Sequence, residues 1–470
     1  MKGRSGSASI RVVDTDAGTV WAESTPELAE NPASNMKLIT AAVALDRLGP
    51  AFSFSTGLYG EIVGDRVDTL VLRGEGDPTL TTLDLAELAQ TIAHLGIASV
   101  GQILVDQSRF DDQFVPPAFE QQADEWAAFR APVSAVALER NALTLFVAPS
   151  AAGQPARVWF EPPGIVAVDG AIETRGAGAG EAVQLALEMR GDQLTARLGG
   201  HVAQGLPRLR FDRRLEDPRR APGLVLRELL LGAHVQVQGG VGLGGADVKM
   251  RLAFHESNTL AALLPMLGKH SDNFTAEMLF KVLGARATGQ PASSADGAKV
   301  VRDWLAAHAL ASADTRIENG SGLFDADRVS ARTLSGVLEV ARRDPAIFPE
   351  YLAQLSIGGV DGTLHGRFRK FRAQRSIRAK TGTLAAASAL SGYVLPPNAG
   401  APIAFSILVN GIEGQAAAVR DRIDHVVEVL AESVSRPPAA SAERKDTKAQ
   451  SLGQAEESHA AQRPEQQRPE

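Results

Sequence analysis

Cysteine is absent from this chain of 470 residues. That excludes disulfides, thiolate catalysis and cysteine-ligated zinc. Histidine is sparse, with nine residues scattered along the chain. None falls in a His-Glu-x-x-His or similar ligand spacing, so neither a metal centre nor a cofactor is expected. Aromatic residues make up only 5%, too few for platforms that stack single-stranded bases. Positive charge is in deficit, with 48 Lys and Arg against 55 Asp and Glu and a net charge of −7. No broad basic excess points to nucleic acid as a partner. Long hydrophobic runs are also missing. No stretch of about 18 apolar residues exists, so no transmembrane segment is expected. Met1-Lys2-Gly3-Arg4 has the basic start of an export signal, but no apolar stretch follows it.

What is present is ordinary globular composition, 44% hydrophobic and 22% charged. The length allows two or three domains with sizeable cores. Residues Ala8 to Val13 and Thr19 to Ala22 read as a hairpin across the turn residues Asp14 to Gly18. A run apolar on nearly every face, Met36 to Leu48, then predicts a buried helix stopped by Gly49-Pro50. From Phe52 the texture changes to short strands with Gly-rich turns and a helix over Leu83–Leu95. Residues 150–215 read as a small β-rich module. A helix over Arg219–Gly232 and a strand over Val235–Val241 follow. Helical periodicity returns in Asn258–Leu267, Phe274–Gly284, Ala298–His308 and Ala331–Arg343, the last with Ser330 as its N-cap. Strands are expected at Ile377–Thr383, Ser388–Leu395 and Ile403–Val409, and a closing helix over Ala416–Val434. Residues 436–470 are Pro, Ala, Gln, Glu and Lys with few large apolar groups, the composition of a disordered tail.

Strands at both ends with helices between predict one discontinuous domain, residues 1–52 and 251–435. Residues 53–250 form an inserted accessory region with the β-rich module nested inside it.

The start of the buried helix carries Ser34 and Lys37. Residues i and i+3 share a helix face, so the amine can lie against the hydroxyl. A desolvated lysine near other cations loses its proton readily and can activate a serine. Alone, such a pair arises roughly once by chance in a chain this long. Two further motifs change its weight. Ser271-Asp272-Asn273 falls between two helical segments, and Lys380-Thr381-Gly382 falls early in an expected strand. The three in this order are the signature of penicillin-binding proteins and class A β-lactamases.

Further stretches extend the likeness: Pro32 to Thr40, Gly76 to Leu80, Ala131 to Ser134, Asn319 to Leu323, Gly359 to Leu364, Arg378 to Leu384 and Leu390 to Tyr393. Through them the chain resembles the D-alanyl-D-alanine carboxypeptidase/endopeptidase family of type-4 penicillin-binding proteins, serine peptidase family S13, over roughly residues 8 to 434. The long interval from Ser34 to Ser271 fits this family. No Glu-x-x-Leu-Asn loop of class A β-lactamases follows Ser271-Asp-Asn273.

The resemblance implies an α/β (α+β) fold: a penicillin-binding-protein/β-lactamase-like transpeptidase domain, an antiparallel sheet flanked by helices, with inserted accessory domains. It implies peptidoglycan stem peptides as substrate, β-lactams as covalent inhibitors, and a periplasmic or cell-envelope location. With no signal peptide visible, that location implies a mis-assigned start. The implied roles are Ser34 as nucleophile, Lys37 as base, Ser271 with Lys380 as proton relay, and Asn273 on the substrate amide. Thr381, Gly382 and Thr383 bind substrate, the two threonines holding its carboxylate. The N–H groups of Ser34 and Thr383 form an oxyanion hole, typically about 3 kcal/mol per donor. A β-lactamase-like serine hydrolase and a non-catalytic wall-binding protein are the alternatives.

One departure stands out. The family often places Arg where this chain has Asp325, at a pocket for the peptide's diamino acid that Leu384 also lines. An acid on the pocket's other side is retained as Asp124. Two acids there repel a carboxylate and favour an amine, unless Arg328 or another cation fills the space.

Overall fold

The computed structural model describes residues 6–435 apart from 123–124, 191–192, 248–249, 290 and 398–399. The tail expected to be disordered, residues 436–470, lies outside them, as does Asp124.

Alternation in three C-terminal strands decides the central architecture. In strand Ile403–Asn410, Ala404 and Leu408 enter one core while Ile403, Phe405 and Ile407 enter another. Strand Ala387–Val394 is likewise split, Ala389 and Tyr393 against Leu390 and Val394. A strand buried on both sides needs cover on both sides. The closing helix, Ala416–Ser435, covers one face through Ile423, Val427 and Ala431. The other face meets a cluster of helices that includes Met36–Leu48, Asn273–Thr288 and Ala331–Arg343.

The sheet has six strands in the order Ser356–Ile357, Ile377–Leu384, Ala387–Val394, Ile403–Asn410, Ser7–Asp14 and Val20–Ser24. Every neighbouring pair is antiparallel. It therefore takes two strands from the start of the chain and four from its end. The short strand Ser356–Ile357 pairs only with Arg378 and Ala379. The outer edge of Lys380 to Leu384 has no strand partner among the described residues.

Helix Met36–Leu48 is buried without a break from Met36 to Leu45. Truncating a fully buried leucine there, such as Leu38, costs about 2–5 kcal/mol by loss of packing. Gly49 ends the helix at φ +82°, a conformation that a side chain would strain.

Between the two parts of that sheet lies a second, mixed one. Its main path runs Gln236–Val237, Ser99–Asp106, Arg66–Gly74, Ser55–Tyr59 and Arg251–Glu256. Helices Thr82–His94 and Ala221–Gly232 share its core. Two smaller sheets, built from strands between Ala142 and Arg214, close around Leu143, Leu145, Ile172, Ala196 and Val202. The fold is a mixed α/β one with antiparallel and mixed sheets flanked by helices.

Candidate active site

Ser34 sits in a tight 3-10 turn, Ala33–Asn35, that runs directly into helix Met36–Leu48. Ala33 is buried at φ +46°, a left-handed geometry costing a non-glycine residue about 1–2 kcal/mol. Its N–H donates to Asn31 Oδ1 at 2.9 Å, which helps hold the turn. One turn later Lys37 is buried. Its Nζ lies 3.0 Å from Ser34 Oγ, 2.7 Å from Asn273 Oδ1 and 2.7 Å from the Ser321 carbonyl.

The Ser-Asp-Asn motif reads as a helix start. Asp272 is the N-cap of helix Asn273–Thr288, its Oδ1 accepting from the Thr275 N–H at 2.6 Å. Ser271 before it is left-handed, φ +56°. Asn273 donates through Nδ2 to the Phe129 carbonyl at 3.1 Å while its oxygen accepts from Lys37.

The Lys-Thr-Gly strand closes the third side. Lys380 is buried, and its Nζ donates to Ser271 Oγ at 2.7 Å and to the Thr381 carbonyl at 2.9 Å. A Cβ on Gly382 would stand 2.7 Å from the Pro32 carbonyl and 3.1 Å from Ala33 Cβ. Glycine there lets the strand press against the Ser34 turn. Three segments far apart in sequence thus converge on one hydroxyl, and Ser34 itself is only half-buried.

Burial sets the electrostatics. Loss of water pushes the Lys37 ammonium down to about 7, opposed by Glu277 and Asp327. Lys380 is pushed well down, first by burial and then by the positive charge of Lys37. Glu277 is buried below them and raised by desolvation. It accepts from the N–H groups of Gly320 at 3.2 Å and Ser321 at 2.8 Å. Glu277 therefore fixes the loop whose carbonyl aims Lys37. Asp327 is raised to about 7, again chiefly by burial, and accepts from the Glu318 N–H at 2.8 Å.

A cavity of about 770 Å³ opens beside the turn, lined by Leu384, Asp325, Phe324, Glu30, Glu413 and Arg328 among others. An arginine-free pocket is not what forms. Arg328 pairs with Asp325 at 2.5 Å, since the intervening turn brings i and i+3 together. Desolvation notwithstanding, the Arg328 guanidinium helps hold the Asp325 carboxyl below its usual range. Thr381 and Thr383 line a different cavity, of about 580 Å³, with Thr363 and Arg420. Thr381 donates to Thr363 Oγ1 at 2.9 Å.

Several contributors were not anticipated from sequence. Glu277 had a signal, a lone acid one turn after Asn273 in an apolar stretch. Ser321 had one too, inside the matching stretch Asn319 to Leu323. Arg140 had none. It belongs to three consecutive left-handed residues, Glu139 at φ +48°, Arg140 at +60° and Asn141 at +52°. The strained turn is held from both sides. Glu139 accepts from the Thr82 N–H at 2.7 Å, and Asn141 Nδ2 donates to the Pro132 carbonyl and Ser134 Oγ, each at 2.9 Å. Its outcome is an ion pair between Arg140 and the buried Asp272.

Comparison with known proteins identifies the family. Residues 3–433 match the model of the D-Ala-D-Ala carboxypeptidase 3 (S13) family. A D-alanyl-D-alanine carboxypeptidase of Actinomadura sp. (strain R39) is 34% identical over 413 residues, covering 83% of this chain and 76% of the relative. The crystal structure of penicillin binding protein 4 from Haemophilus influenzae superposes with a TM-score of 0.73 at 23% identity, covering 87% of this chain and 91% of that one. The same protein has been solved complexed with a β-lactam. A predatory peptidoglycan endopeptidase from Bdellovibrio bacteriovorus shares the fold at a TM-score of 0.55 and 14% identity, over 93% and 95% of the two chains.

Proposed function

The chain belongs to the S13 family of D-Ala-D-Ala carboxypeptidases, and from that premise we propose how its residues carry the reaction on peptidoglycan stem peptides. The observation that supports the assignment best is the contact of a largely desolvated Lys37 with Ser34 Oγ. A neutral lysine amine has two N–H donors and one lone pair. Asn273 Oδ1 and the Ser321 carbonyl take the two donors. The lone pair is left for the Ser34 proton.

Ser34 Oγ then attacks the carbonyl carbon of the penultimate D-Ala as Lys37 takes that proton. The oxyanion forms against the N–H groups of Ser34 and Thr383. Ser271, hydrogen-bonded to Lys380, relays that same proton from Lys37 to the leaving nitrogen, and the terminal D-Ala departs. Water hydrolyses the remaining ester and frees Ser34. Asn273 and the open edge of Lys380 to Leu384 hold the acyl side as an added strand, and Thr381 and Thr383 take the terminal carboxylate. Endopeptidase cleavage follows the same steps with a longer leaving group. β-Lactams acylate Ser34 by the same route. The substrate places the enzyme outside the cytoplasmic membrane. No helix among the described residues is long and apolar enough to cross one.

Incubation with a fluorescent penicillin should label the protein covalently on the peptide containing Ser34, and a pentapeptide ending in D-Ala-D-Ala should release D-Ala. An unlabelled protein with no D-Ala release overturns the reading. Label that is shed within seconds favours a β-lactamase instead.

The cavity beside Leu384 receives the peptide's side chain. Asp325 is offset by Arg328, but Glu30 and Glu413 leave the lining with more acid than base. A stem peptide whose third residue ends in a free amine should therefore turn over several-fold faster than one ending in a zwitterionic diamino acid. Equal rates would refute this preference.

Arg140 acts as a positioning residue. Removing it leaves the Asp272 carboxylate buried without its counter-charge and loosens Ser271 and Asn273 on either side. Small displacements of reacting groups are costly, so Arg140→Ala should lower kcat between about 10- and 100-fold with KM little changed. An unaltered kcat would remove Arg140 from the site.

A further inference from the structure

The chain is acidic overall, yet no Asp or Glu occurs between Gly362 and Ile412. Within that interval Arg367, Arg369, Lys370, Arg372, Arg375 and Arg378 fall close together. Arg378 lies in the strand that carries Lys380, and the first five lie on the connection from the turn Gly362–Leu364 to that strand. Its apolar residues face inward. Phe368 is buried, and Phe371 packs against the core that the closing helix also enters. This anchoring turns the cations outward. Arg369, Lys370, Arg372 and Arg375 are all exposed.

Two members of the group are accounted for by the fold. Arg367 pairs with Asp424 of the closing helix, and Arg378 donates to the Arg375 carbonyl. Among the described residues the Arg369 side chain bonds only a backbone oxygen, that of His365. Among the described residues no carboxylate lies within ion-pair distance of Arg369, Lys370, Arg372 or Arg375. A hollow of about 250 Å³ is lined by Arg372, Arg375 and Ser376, with Leu395 and Pro397 behind them. Four crowded cations without acids repel one another, and nothing in the packing requires them.

We propose that this ridge docks a linear polyanion built of phosphodiester-linked units. A row of guanidinium and ammonium groups matches a row of phosphates, and guanidinium groups bind phosphate oxygens in pairs. The inward rings argue against single-stranded nucleic acid, which needs exposed aromatic faces to stack on. No large hydrophobic side chain in the interval is exposed, so the ridge has no wedge for a bilayer. Arg375 stands five residues before Lys380, in a short 3-10 turn that leads into the strand, so the two are at most about 17 Å apart. A polymer held there would keep the open strand edge close to whatever matrix bears the polymer.

The test uses purified poly(glycerol phosphate) and the full chain, with binding followed by calorimetry or by a labelled polymer. Wild type should bind, and raising salt from 50 to 200 mM should weaken binding roughly 50-fold, as expected for about four neutralised phosphates on a single strand. The triple variant Lys370→Glu, Arg372→Glu, Arg375→Glu should lose at least about 10-fold in affinity at low salt. Its melting temperature and penicillin labelling should match wild type, because none of the three residues belongs to the reacting site. Should that variant fold poorly, the milder Lys370→Gln, Arg372→Gln pair should still lose several-fold. Absence of binding, equal binding by the variants, or tighter binding to phosphatidylglycerol vesicles or to single-stranded DNA would each overturn the proposal. Since binding is read without turnover, its failure is separate from failure of the peptidase reading.

Discussion

Ser34→Ala should take up no penicillin label and should release D-Ala at least about 10⁴-fold more slowly than wild type, on the scale seen when a nucleophile is removed from a serine hydrolase. The loss is chemical and not structural. Ser34 lies in a turn held by backbone geometry and by Asn31, and its hydroxyl caps no helix. Among the described residues its one side-chain bond is to Lys37. The variant should therefore melt with wild type and still bind a stem peptide, so that KM or a direct Kd survives while kcat collapses. Mass spectrometry of the intact protein after β-lactam exposure gives the clearest answer. An adduct persisting in the variant would mean that another hydroxyl is the nucleophile.

Lys37→Met keeps the length and the apolar body of the side chain but removes the base. General-base catalysis is worth about 10²–10⁴ in rate, and the acylation rate should fall within that range. The pH dependence makes the prediction more specific. Burial lowers Lys37 to about 7, and the catalytic form is the neutral one, which gains as pH rises. About a tenth of the amine is neutral at pH 6 and about nine tenths at pH 8. Wild-type acylation by a β-lactam, whose own charge does not change over this range, should rise about tenfold between those values. The Met variant should show no such rise. A wild-type profile flat from pH 6 to 8 would mean that Lys37 does not titrate in that range.

Much of this site was legible because each motif coincides with a local structural need. Asp272 is a helix cap, so Ser-Asp-Asn falls at a helix start. Gly382 is where a strand meets the serine turn. Helices Met36–Leu48 and Ala331–Arg343 begin and end where periodicity and Ser330 put them. Other features depend on distant chain. The expected strand over Val235–Val241 is two short ones, Gln236–Val237 and Val241–Leu243, each parallel to Ser99–Asp106. A Cβ on Gly239 between them would meet the Gly101 carbonyl at 2.5 Å. Strand Arg251–Glu256 had no clean alternation, because only Ala253 along it is buried. Arg140 was illegible for a related reason. For Arg140 no sequence neighbour hints at its partner, and only tertiary packing gives it Asp272, whereas Arg328 stands three residues from Asp325 and was a candidate from sequence.

The strained turn at Glu139 to Asn141 has a consequence for how far this polypeptide can be pared down. Arg140 grips Asp272, the Phe129 carbonyl holds Asn273, and Lys281 reaches Asp111 at 2.5 Å. All three ties run from the interposed segments to the helix at the heart of the site. The core around helix Met36–Leu48 also takes in Phe110, Ala131, Val133, Ala135 and Ala137 from those segments, so a shortened enzyme joined near Phe52 and Ser257 would lose core packing as well. Such a chain would retain the serine, both lysines and the strand edge. It would also have lost the outer half of the scaffold that aligns them, so miniaturisation here trades away the catalyst while leaving its parts in place.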